Sequence, residues 1–272
     1  MLQFPNAKIN LGLRILRKRI DGYHDLETCF YPIDWKDILE IVPAKKMHFH
    51  CTGIEIPGDP ATNLCLKAYK LLQKDFGLPN ASIHLHKIIP MGAGLGGGSA
   101  DAAYVLRLTA EIFNLIFEPE LLKIYAAQIG SDCSFFIENT PSIATGRGEI
   151  LEPANIDLSE KHFLVVHPGI HVATAAAYAS VTPAIPTVGI KDIIENQPVE
   201  AWQDKLINDF ELSVFNKYPE IENLKNKIMD LGAGYVAMSG SGSAVFGIFN
   251  DDLDIEGIFP EHYKVWQGKG IG

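Results

Sequence analysis

Along residues 4–16 apolar and polar positions alternate. Ile9, Leu11 and Leu13 share one face, and Lys8, Asn10 and Gly12 share the other, which is the period of a strand. Further strand-like stretches cover 26–34, 37–43 and 46–52, so the chain opens rich in β-structure. The spacing then lengthens. Over 63–76, Leu64, Ala68, Leu71 and Leu72 recur at helical intervals, with Gly77 as the stop. Residues 81–88 alternate again, as a half-buried antiparallel strand would, and feed a glycine-rich stretch with a helix predicted over 98–114. Pro119 opens another helix that ends near Gly130, and a strand pair spans 142–152 around Thr145-Gly146-Arg147-Gly148.

Residues 153–160 are polar and turn-rich, which places a domain boundary there and divides 1–153 from 154–272. The second part begins with a strand at 163–168, then a short helix near 174–180 and a proline-rich loop at 182–187. Helices are predicted over 190–205, 209–217 and 219–231, the last with Pro219 in its first turn and Gly232 at its end. Strands at 234–238 and 244–250 flank Ser239-Gly-Ser-Gly-Ser243. Antiparallel strands with grouped helices predict the α+β class.

A length of 272 residues allows a substantial core and two domains. No apolar run approaches the roughly 20 residues of a membrane span. Cys29, Cys51, Cys65 and Cys133 are widely spaced with no C-x-x-C, so a zinc site and a disulfide framework are both disfavoured, and reduced thiols in a cytoplasmic protein are expected. A net charge of −10 argues against nucleic acid as a partner. The first 20 residues run against that balance, with Lys8, Arg14, Arg17, Lys18 and Arg19 and no acid. A basic, acid-free start can mark an organelle transit peptide, but the clean alternation of Ile9, Leu11, Leu13 and Ile15 favours a strand of the fold. Its charge would help an acidic protein hold an anionic substrate.

The chemistry centres on Pro90-Met91-Gly92-Ala93-Gly94-Leu95-Gly96-Gly97-Gly98-Ser99-Ala100, with five glycines in seven positions and strong helix formers after them. Clustered glycine lets backbone N–H groups converge on an anion. Ser99 suits the helix start, whose free N–H groups and positive end point into the loop. A flexible linker is the plain alternative, but linkers do not run from an alternating strand into a strong helix. Gly92, Gly94 and Gly97 also satisfy G-x-G-x-x-G, a weak signal that requires a buried parallel strand before it. On that pattern a nicotinamide-dinucleotide-binding oxidoreductase is a competing reading. There is no G-K-[ST], so this is not a Walker loop. Two other stretches carry candidate groups. Asp21-Gly22-Tyr23-His24 is a turn whose aromatic pair is either packed or part of a site. In Gly130-Ser131-Asp132, the lone acid is either an N-cap or a partly buried carboxylate facing the site.

The pattern Pro90…Gly94-Leu95-Gly96…Ser99…Ala102-Ala103 resembles the phosphate motif of the GHMP kinases, P-x-x-x-G-L-G-x-x-S-x-A-A. Ala7-Lys8-Ile9-Asn10-Leu11, Gly22-Tyr23-His24, Gly130-Ser-Asp132, His167-Pro168-Gly169 and Gly240-Ser-Gly-Ser extend the resemblance over nearly the whole chain. They point to members that phosphorylate a cytidine diphosphate-linked alcohol, with mevalonate- or homoserine-type small-alcohol kinases as the alternative. The resemblance implies a two-domain GHMP kinase fold: an N-terminal ribosomal-protein-S5-like α+β domain with a left-handed crossover and a C-terminal ferredoxin-like α+β domain, with the active site in the cleft between them. It implies ATP as co-substrate and Mg²⁺. No membrane partner and a monomer or weak homodimer are expected.

Residue by residue, the resemblance makes Asp132 the base for the accepting hydroxyl and Lys8 its orienting and electrostatic partner. Tyr23 and Tyr178 would sandwich the cytosine, with His24 reading its edge. Asn10 and Thr174 would supply polar contacts to the alcohol, and Phe30 would line the same pocket. On the ATP side it adds Asn63, Leu64 and Lys87 to the loop residues, with Ser99 as a candidate Mg²⁺ ligand. Asp101 is read as a first-turn dipole partner, and Arg147 lies beside the substrate with its role open.

Overall fold

The structure, a computed structural model, describes residues 1–271. Contacts divide the chain into two compact units that interleave in sequence. One holds residues 1–7, 35–91 and 96–139, and the other holds 8–34, 92–95 and the chain from 140 onward. A single cut at 153/154 is a different kind of division. The early strands Asn6–Lys18 and His24–Lys36 share a sheet with Ser142–Thr145 and Ile150–Pro153, which draws 8–34 into the second unit.

The first unit is built on a four-stranded sheet in the order Leu2–Gln3, Ile38–Pro43, Ala81–Lys87, His48–Gly53. Ala81–Lys87 pairs antiparallel with Ile38–Pro43, as its alternation predicts, and parallel with His48–Gly53. The parallel pair requires a crossover, which carries the helix Leu64–Phe76. That helix starts where Asn63 Oδ1 accepts from the Cys65 N–H at 2.8 Å and ends at a left-handed Gly77. It packs on the helix Gly97–Ile112, which is buried on most sides through Ala100, Ala102, Ala103, Val105 and Leu106. The helix Pro119–Ile129, a 3₁₀ turn at Ser131–Ser134 and the short helix Phe135–Glu138 complete the unit.

The second unit carries two sheets. One has the order Asn6–Lys18, His24–Lys36, Ser142–Thr145, Ile150–Pro153. The basic N-terminal stretch is therefore strand, and Lys8 and Asn10 on its polar face are as buried as its apolar face. The other sheet is antiparallel throughout, in the order Tyr235–Met238, Val245–Phe249, His162–His167, Lys264–Lys269. Numbered along the chain from His162–His167, that order is 2-3-1-4, the ferredoxin-like arrangement. Its first crossover includes the helices Thr174–Ala179, Ile190–Asn196, Glu211–Lys217 and Pro219–Asp230. The helix predicted over 190–205 stops at Asn196 because Gln197 precedes a proline and takes extended backbone, after which Val199–Ala201 forms a 3₁₀ turn. Residues 250–263 connect the last two strands through turns. The strand Lys264–Lys269 has no counterpart in the sequence-based prediction. Leu164, Val166, Val236 and Val245 pack against Ile221, Leu224 and Ile228, and Leu13, Ile15 and Leu26 join the same core.

Candidate active site

Lys8 is 2 % exposed on the strand Asn6–Lys18. A buried ammonium must be hydrogen-bonded to remain charged. Its Nζ donates to Asn10 Oδ1 at 2.7 Å and to the Gly94 carbonyl at 3.1 Å, and it lies 4.8 Å from the centroid of the Phe30 ring. Asn10 Nδ2 donates to Thr28 Oγ1 at 3.0 Å, and that hydroxyl donates to the Gly12 carbonyl at 2.5 Å. Ser239 Oγ donates to the same Gly94 carbonyl at 2.8 Å. Lys8 and Asn10, expected on one strand face, and the Phe30 ring are thus assembled with the Gly94 carbonyl of the glycine loop. Thr28 and Ser239 are members that sequence reasoning missed. For Ser239 the available signal was its place before Gly240-Ser-Gly-Ser.

The loop is tightly fitted. Gly94 has φ +80°, and a Cβ there would lie 1.9 Å from the Ser239 carbonyl oxygen. The Leu95 carbonyl accepts from the Lys8 N–H at 2.9 Å and the Ala93 carbonyl from the Ala244 N–H at 3.1 Å, while both side chains are buried. Their contribution to a ligand is therefore backbone. The helix N-cap is Gly96, in left-handed conformation and with no side-chain cap. This corrects the reading of Ser99 as the cap. The helix already begins at Gly97, so Ser99 lies within its first turn. Gly97 and Gly98 form the bare first turn, whose N–H groups have no partner within the helix. The dinucleotide reading fails on the strand before the loop, which pairs antiparallel on one side and exposes His84 and His86.

In the first unit a cavity of about 550 Å³ is lined by Asn63, Leu64, Met91, Gly98 and Asp101, among others. Asn63, Leu64 and Met91, three of the residues expected on the ATP side, thus line one cavity. Lys87 is placed differently. Its ammonium is buried between Asp37 and Asp101, with Asp101 Oδ2 at 2.9 Å. Burial alone would lower the Lys87 pKa, but the two carboxylates outweigh it and leave it raised. Burial pushes the Asp101 carboxyl up to about 7, against the opposing pull of Lys87. Asp101 is therefore a buried ion-pair partner and not the exposed first-turn dipole partner that its position predicts. Asp132 sits half-buried in the 3₁₀ turn Ser131–Ser134, whose N-cap position is Gly130, and the following helix has Ser134 at its N-cap position. Asp132 therefore occupies neither capping position.

In the second unit two of the cytosine candidates, His24 and Tyr178, are in contact. His24 stacks on Tyr178 with ring centroids 5.2 Å apart and planes at 23°, and Phe210 meets Tyr178 at 75°. His24, expected to read the edge of the cytosine, is thus stacked on Tyr178. Tyr23, 57 % exposed, presents its ring to the Arg147 guanidinium at 4.9 Å, and Arg147 is paired with Glu149. Thr174 Oγ1 and Ser241 Oγ are 3.0 Å apart, which adds Ser241 to the polar groups near Tyr178.

Sequence profiles of the GHMP kinases N-terminal domain and of the GHMP kinases C-terminal region match residues 63–139 and 193–265. The chain is 53 % identical over 251 residues to a 4-diphosphocytidyl-2-C-methyl-D-erythritol kinase of Cytophaga hutchinsonii, covering 92 % of this chain and 93 % of that one. It is 46 % identical to the enzyme of that name from Parabacteroides distasonis, over 99 % of both chains. A crystal structure titled 4-(cytidine 5'-diphospho)-2C-methyl-D-erythritol kinase superposes with a TM-score of 0.78 at 33 % identity, covering 91 % of this chain and 90 % of that one. A Methanococcus jannaschii mevalonate kinase shares the fold alone, with a TM-score of 0.73 at 13 % identity over 100 % of this chain and 98 % of that one. With a bare glycine loop, a buried lysine under it and identity of this extent, the chain belongs to the GHMP kinases and, among them, to the 4-diphosphocytidyl-2-C-methyl-D-erythritol kinases.

Proposed function

We propose that the chain moves the γ-phosphoryl group of ATP onto the 2-hydroxyl of 4-diphosphocytidyl-2-C-methyl-D-erythritol, a step in non-mevalonate isoprenoid precursor synthesis. The observation that carries the reading is the buried Lys8 ammonium hydrogen-bonded to the carbonyl of Gly94 within the phosphate loop. An anion held by the loop N–H groups then has a fixed positive charge next to its cradle. Phosphoryl transfer needs mainly positioning and charge stabilisation. Asn10 and the Gly94 carbonyl hold Lys8 so that its charge costs no reorganisation at the moment of transfer. Asp132 takes the proton of the accepting hydroxyl as general base. Tyr23, His24 and Tyr178 receive the cytosine, with Arg147 backing the Tyr23 ring. Asn10, Phe30 and Thr174 contact the alcohol.

Among the described residues no group of three or more His, Cys, Asp or Glu is arranged to hold a metal ion. That fits Mg²⁺, which is usually carried by substrate phosphates with one or two protein oxygens. Ser99 Oγ, in the helix's first turn, would be one such oxygen. When bound, the ion neutralises charge on the phosphates. No helix among the described residues is long and apolar enough to cross a membrane. We assign the enzyme to the cytoplasm as a monomer or weak homodimer with no nucleic-acid partner, in keeping with its charge of −10. We also keep 153/154 as the division between its two family domains.

Coupled ADP release with the cytidyl alcohol, mevalonate and homoserine, each with and without Mg²⁺, tests the proposal. Turnover confined to the cytidyl alcohol and dependent on Mg²⁺ is expected. Turnover of mevalonate or homoserine without the cytidyl substrate would replace this reading with another GHMP activity.

A further inference from the structure

Beneath the glycine loop lies an ion cluster that the transfer itself does not use. Lys87 ends the strand Ala81–Lys87, and its side chain is wholly shielded from solvent. Its ammonium bridges Asp37, the single residue between the strands His24–Lys36 and Ile38–Pro43, and Asp101, one turn inside the helix Gly97–Ile112. The other oxygen of Asp37 accepts from the backbone N–H groups of Ile88 at 2.5 Å and Ile89 at 2.8 Å, immediately before Pro90. A Cβ built on Gly97 would come 2.9 Å from Lys87 Nζ and 2.9 Å from Ile89 Cγ2. The ammonium therefore fills the space under the helix start. One cluster fixes both the chain entering the loop and the chain leaving it.

For stability alone this is an uneconomical choice. Two carboxylates share one ammonium, and Asp101 Oδ1 is buried with no hydrogen-bond partner. Apolar side chains of similar volume commonly match or exceed such a buried pair in stability. They cannot, however, tie a strand end, two backbone N–H groups and a helix's first turn into one register.

We propose that Asp37, Lys87 and Asp101 are positioning residues for ATP, holding the two ends of the glycine loop at the separation where its N–H groups converge on the triphosphate. The proposal rests on the kinase reading above. It gives Lys87 a role exerted through the loop and not through its own contact with the nucleotide. The effect is on geometry, and a displacement of about 1 Å away from the reacting atoms can cost up to ~100-fold.

The test uses the full chain and three readouts: binding of a fluorescent N-methylanthraniloyl ATP, KM for ATP and for the cytidyl alcohol, and thermal melting. Asp101→Asn keeps the volume and a hydrogen bond to Lys87. It should weaken ATP binding and kcat/KM for ATP by about tenfold or more, with KM for the cytidyl alcohol held within about twofold. The charge-free variant Asp37→Asn/Lys87→Met/Asp101→Asn should melt at or above the wild-type Tm yet lose ATP affinity at least as severely. Wild-type ATP affinity in either folded variant overturns the proposal, and so does loss of the fold in Asp101→Asn, which would make the cluster structural. Failure of the kinase reading looks different, because the wild-type chain would then not bind the ATP analogue at all.

Discussion

Gly94 has no room for a side chain, since its φ of +80° and the Ser239 carbonyl 1.9 Å from a built Cβ both oppose one. Gly94→Ala is expected to cost about 3 kcal/mol or more through left-handed strain and overpacking, read as a lowered denaturation midpoint, and to abolish measurable ATP binding. Asp132→Asn should retain ATP binding while turnover falls about 10²-fold or more, the scale of a general base. Near-normal turnover in that variant removes Asp132 from its role. Tyr23→Ala should raise KM for the cytidyl substrate and leave KM for ATP unchanged, and equal effects on both would misplace the cytosine contacts. Lys8 and Asn10 were legible because alternation put both on one strand face next to a recognisable start motif. Ser239 was not, because its bond to Gly94 joins positions 145 apart. The misreading of Asp101 has the same origin: its helix position was readable, but its burial against Lys87 and Asp37 arises only in the packed fold.

At the scale of elements, local signals were strong wherever caps and breakers stood. Asn63 and Gly77 bound the helix Leu64–Phe76 as the spacing predicts, and Pro119 and Pro219 each open a helix. The strand Lys264–Lys269 went unread because Lys264, Gln267 and Lys269 break up its apolar positions, and it is defined by pairing with His162–His167. Asn63 both caps its helix and lines the 550 Å³ cavity, so its two roles can be separated. Asn63→Ala should cost ~1 kcal/mol in chemical denaturation, and Asn63→Ser should recover most of that as a working cap. Any loss of ATP affinity that persists in the serine variant then belongs to the cavity. Three elements, a strand, a helix and a 3₁₀ turn, also bury thiols. Burial pushes Cys133 up to about 12 and raises Cys29 and Cys65 well above the ordinary thiol range. At pH 8 these three are almost wholly protonated, so a disulfide reagent should label them only after unfolding. Rapid labelling of any of them in the folded enzyme would contradict their placement.

Across the whole molecule, the α+β class was accessible from element types and the ferredoxin-like domain from the family resemblance, whereas the interleaving of the two units was not. It depends on which early strands pair with which late ones. The core of the second unit takes Leu13, Ile15 and Leu26 from the N-terminal strands. A fragment spanning 154–272 should therefore leave that face uncovered. It is expected to show native-like far-ultraviolet circular dichroism but no cooperative melt, whereas the intact chain should unfold cooperatively. The same borrowing bears on biosynthesis. Leu13 exchanges backbone hydrogen bonds with Ile207 and Asp209, residues made long after it. At ~5–20 residues per second the ribosome delivers them on the order of 10–40 s later. Through that interval the first strand has His24–Lys36 on one edge only, and its Leu13 edge and greasy face stay uncovered, which should make the nascent polypeptide a client for chaperones well before it is a catalyst.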